Sequence, residues 1–103
     1  MTSKSESHEI NGQHINHHQR DTLEALFAHP TRHNVRWKDV EHLLAALGEI
    51  EVKHNGSLRV SLSGIVEVFD VNHGRDLTME QVMDIRRMLK TAGFDPAEVG
   101  LDA

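Results

Sequence analysis

The sequence predicts an α+β domain, in which an extra N-terminal helix precedes a helix, a three-stranded antiparallel meander and a last helix. Three observations carry this prediction. The spacing of apolar residues changes from about 3.6 to 2 near residue 49 and returns near residue 79. Two turn dipeptides, Asn55-Gly56 and Ser63-Gly64, divide the middle into three short alternating runs. Pro30, Gly48 and Gly93 stop the three helical runs.

The elements follow in order. Residues 1–15 lack apolar periodicity, and 1–17 is expected as a flexible, histidine-containing tail. Leu23, Leu26 and Phe27 form one stripe of a helix over 18–28. The linker "HPTRHN" completes an 18–35 segment. Trp37, Val40, Leu43, Leu44 and Leu47 repeat at three- and four-residue spacing, which predicts a helix over 36–47 with Gly48 as its C-terminal stop. Ile50 and Val52 alternate with Glu49, Glu51 and Lys53 in a first strand. Asn55-Gly56 predicts a type I′ turn, in which both residues take positive φ. Leu58, Val60 and Leu62 alternate with Arg59 and Ser61, and "IVEVF" gives the third strand. Turns this short force antiparallel pairing, and two helices on one face would leave the other face wet. Thr78 and Gln81 form a capping box for a helix over 79–92. An acidic C-terminal tail is expected over 95–103.

Composition narrows the function classes. The 103 residues contain no cysteine, so disulfides and thiolate metal sites are excluded. A secretory leader is not expected from the polar start, and no apolar run approaches the ~18 residues of a membrane span. A cytoplasmic protein is the expectation. The formal charge of −5 lies at the ends, because residues 29–94 hold nine basic and nine acidic side chains. A neutral body argues against strong, non-specific nucleic-acid affinity but leaves room for a local basic face. Nine histidines give many groups that titrate near neutrality.

The helix–meander–helix order resembles a double-stranded-RNA-binding fold. The segments "DVEHLLAALGEIEVKHNGSLRV" and "FDVNHGRDLTMEQVMDIRRMLKTAGF" resemble the HicA family of toxin–antitoxin proteins. The likeness runs through a helix ending in Leu47-Gly48, a Gly56-Ser57 turn between two strands and a His73-Gly74-Arg75-Asp76-Leu77 loop. It closes with a helix ending "LKTAGF". The preceding "LFAHPTRHNVRWKDVEHLL" resembles the N-terminal extension of a HicA-like subgroup, so the likeness spans about residues 20–94, with 36–94 as the HicA-like domain. The resemblance implies a small, bacterial-type ribonuclease that cuts mRNA without a metal and is neutralised by a HicB antitoxin. It implies no cofactor. In the family the catalytic histidine directly follows the Gly-Ser. Here Leu58 stands there, in the inward row with Val60 and Leu62.

Candidate site residues follow from the residues and the resemblance together. His54 is the candidate acid/base group, because a histidine near the hairpin could take the 2′-hydroxyl proton. The bland alternative is a half-buried histidine flanking a turn. Lys53, Arg59, His73 and Arg75 are the candidate RNA-binding residues: Gly74 lets backbone approach a phosphate, and arginine offers it a planar fork. Arg86, Arg87 and Lys90 form either a basic patch or a set of cations offsetting their own helix dipole. His29, Arg32 and His33 sit in the linker. Trp37 could stack on a base, though it continues a core stripe. His14, His17 and His18, with Asp21, would suit a divalent metal if helical. Three functions therefore remain open: an RNA-directed module with or without endoribonuclease activity, a noncatalytic protein-interaction module, and a metal-responsive protein.

Overall fold

Two dipeptides, Asn11-Gly12 and Ser63-Gly64, hold both residues at positive φ, the backbone of a two-residue hairpin turn. The computed structural model describes residues 7–32, 34–71 and 75–99, and these turns generate its two antiparallel sheets. The first pairs β1 (Ser7–Ile10) with β2 (Gln13–Asn16). The second has the order β3 (Glu49–Val52), β4 (Ser57–Leu62), β5 (Ile65–Asp70). Helices α1 (His17–Leu26) and α2 (Trp37–Leu47) lie between the two sheets in the chain, and α3 (Met79–Thr91) and the short α4 (Pro96–Val99) follow the second. The molecule is thus α+β with antiparallel sheets of two and three strands.

The central strand β4 behaves as its alternation demands, whereas Val52 at the end of β3 stays 62% exposed. Leu58, Val60 and Leu62 are fully buried under the helices, while Val66 and Val68 lie exposed on the opposite face. Helix α2 packs on β3 and β4, and α1 packs on α2 and α3. Leu23, Leu26, Val40, Leu43, Ile85 and Leu89 interlock between these layers with no exposed surface. The Thr78–Gln81 capping box forms at the start of α3 as its sequence predicts. A second box, Asn16–Gln19, starts α1.

Two features depart from the sequence-based expectations. The expected tail over 1–17 contains the β1–β2 hairpin, whose Ile10 and Ile15 enter the core at 1% and 2% exposure. Its Asn11 side chain donates to the Gly93 carbonyl at 3.0 Å. The β3–β4 connection is not a type I′ turn on Asn55-Gly56. Gly56 N–H donates to Lys53 O and Lys53 N–H to Ser57 O, so His54-Asn55 form the turn and left-handed Gly56, at φ 84°, follows as a bulge. The Asn55 side chain instead accepts from Ser57 N–H. Gly48 ends α2 as expected, with an extended backbone. It is needed for space: a Cβ there would overlap the Ser61 carbonyl and lie 2.8 Å from Leu62 Cδ2. No helix among the described residues is long and apolar enough to cross a membrane.

A candidate nucleic-acid interface at one end of the sheet

A short backbone clamp brings three cationic side chains together. Trp37 N–H donates to Arg75 O and Leu77 N–H to Val35 O, both at 2.8 Å. Arg36 and Asp76 face each other in the bridge between these bonds. The segment entering α2 is thereby pinned to the segment entering α3. Around this clamp lies an open depression of about 900 Å³, lined by Arg36, Lys38, Arg75, Trp37, Glu41 and Asp76. Three cations against two carboxylates leave a small positive excess.

The local sequence explains the arrangement. Arg36 is the N-cap of α2, and no side chain caps that helix; its first N–H is taken by the Arg75 carbonyl and Asp39 stands in its first turn, so the positive charge here comes from the Arg36 and Lys38 side chains. Trp37 turns inward at 4% exposure and meets Phe69 with ring centroids 6.3 Å apart. It is a core residue that holds Arg36 and Lys38 outward on either side.

The predicted site residues divide. Arg75 lines the depression. Lys53 and His54 lie exposed at the β3–β4 turn, the end of the meander where Val71 N–H donates to Gly56 O and Phe69 meets Trp37. Neither residue lines the depression. His54 is exposed rather than half-buried, and position 58 pairs with Val52, not with His54. Arg59 points from the open sheet face, between Glu51 and Val68 in the strand register. His73 and His33 lie outside the described residues. Sequence reasoning missed Arg36 and Lys38, although "RWK" interleaves an aromatic with two cations.

The remaining basic and histidine-rich candidates have other occupations. Arg86 Nε donates to Leu26 O at 2.7 Å, and its Nη2 to Ala28 O and Thr31 Oγ1 at 3.4 Å, closing the end of α1. Arg87 pairs with Asp84 at 3.1 Å and Lys90 approaches Asp95 at 3.9 Å. His14 lies in β2 and His17 and His18 in α1, so the helical spacing that a metal would need does not form. His17 approaches Asp21 and His18 approaches Asp39. Among the described residues no group of three or more ligating side chains is placed to hold a metal ion. His18, Asp39 and Arg32 line a smaller hollow of about 200 Å³ that shares Asn34 and Arg36 with the depression. Its acidic side chains balance its cations. Comparison with protein-family models, with curated proteins and with solved structures finds no match for the chain.

Proposed function

We propose that the chain is a HicA-like RNA-binding module of toxin–antitoxin type, acting on mRNA in the cytoplasm and neutralised by a HicB-like antitoxin protein. In this reading α2, β3, β4, β5 and α3 form a double-stranded-RNA-binding-like αβββα unit over 36–94. The observation that carries it is the depression where Arg36, Lys38 and Arg75 converge beside the start of α2. Guanidinium and ammonium groups around such a hollow suit successive phosphates of one strand. Binding without cleavage is the form the residues support best. Leu58 is fully buried and has no group that accepts a proton, and His54 stands in solvent outside the depression.

Fluorescence anisotropy with a labelled single-stranded RNA tests the reading. The Arg36→Ala/Arg75→Ala double variant weakens binding at low salt by about ten-fold or more, because two phosphate contacts are lost. Unchanged affinity in the folded variant overturns it. The RNA stays intact during the titration, whereas cleavage that disappears in His54→Ala would restore a ribonuclease.

A further inference from the structure

We propose that the outer edge of β5 takes up an extended segment of a partner protein as a fourth strand, with the side-chain pattern apolar–basic–apolar. The register sets the geometry. Leu62 and Ile65 close the Ser63-Gly64 turn, and pairing continues through Val60–Glu67 and Leu58–Phe69. In an antiparallel ladder that starts so, the main-chain groups of Ile65, Glu67 and Phe69 point at β4 and those of Val66 and Val68 point outward. No described residue bonds to these outward groups. Farther along the strand, Asp70 O accepts from Gln81 Nε2 at 2.7 Å, which closes that end of the open stretch.

The side chains specify the occupant. Val66 and Val68 are 48% and 57% exposed on the open face. Glu67, between them, lies on the helix side and is half-buried opposite Val60. Among the described residues its carboxylate makes no ion pair or hydrogen bond. A strand added in antiparallel sense places one residue opposite Val66 and one opposite Val68, both on the open face, where apolar groups cover the valines. The residue between them meets Glu67 across a non-hydrogen-bonded pair, where Cα atoms approach to about 4.5 Å. A lysine or arginine there supplies the missing charge. The opposite edge of the sheet differs, since β3 carries Glu49 and Glu51 on the open face.

A second copy of this chain is a poor occupant. The register that joins Val66 of one copy to Val68 of the other sets Glu67 against Glu67, and like charges directly opposite destabilise a sheet. This same charge guards the edge against self-pairing. The edge shares no residue with the cationic depression, so it stands whether or not RNA binds there.

A short labelled peptide centred on Val-Lys-Val, its Val-Glu-Val twin, and the full chain provide the test. The lysine peptide binds about ten-fold more tightly than the glutamate twin, as expected for a cross-strand charge pair replaced by a repulsion. Glu67→Lys inverts that preference, a gain that a misfolded variant cannot mimic. N-methylation of the peptide's valine nitrogens removes binding, because the contact is made by main-chain hydrogen bonds. Equal affinity for the two peptides, undiminished binding of the methylated one, or no binding of either overturns the proposal. So does a dimer in sedimentation that Val68→Pro dissociates, which would make a second copy the occupant.

Discussion

Arg86 shows why a cation cannot be assigned from its neighbours in the chain. Arg86, Arg87 and Lys90 look alike on the last helix, yet Arg86 spends its guanidinium on the carbonyls of Leu26 and Ala28. Those partners lie 60 and 58 residues earlier, so no local pattern announces them. Arg86→Ala leaves the end of α1 unsatisfied in a partly buried place and lowers stability by about 1–3 kcal/mol, measured by urea unfolding. Arg86→Lys recovers only part of this, because an ammonium cannot reproduce the fork. The candidate site was legible in the same partial way. Arg75 could be singled out from its loop, but Arg36 and Lys38 join it only through the Trp37–Arg75 and Leu77–Val35 backbone bonds, which connect segments far apart in sequence. Trp37 was readable as core because it continues the α2 stripe, and that inward turn is what leaves its two neighbours facing solvent.

The helices and the meander could be read from periodicity because each spans several repeats of its own pattern. The N-terminal hairpin could not. Each strand has four residues and each sends one isoleucine to the core, too few for a period to stand out. The signal present was Asn11-Gly12, the same dipeptide that drew attention at 55–56. At 11–12 both residues take positive φ; at 55–56 only the glycine does. Strand pairing, rather than the dipeptide, decides where the turn is centred. A tail would tolerate any substitution at Ile15. In the hairpin, Ile15→Ala removes a side chain that is 2% exposed and costs about 2–5 kcal/mol, checked by the shift of the urea midpoint.

Under the proposed reading, the charges of the whole molecule predict a weak and salt-sensitive binder of polyanions. The net charge of −5 opposes approach, and the depression offers three cations. Three phosphates neutralised on a single strand give a slope near −2 for log affinity against log salt, since each contributes roughly −0.7. A titration between low and physiological salt measures it. A slope near zero would mean that the three side chains do not meet phosphates at all.

The bond from Asn11 to Gly93 spans 82 positions of the chain. During translation Asn11 is made well before Gly93, so the hairpin cannot be fastened by this bond until α3 has followed it out of the ribosome. The order of synthesis and the order of assembly run in opposite directions at this seam.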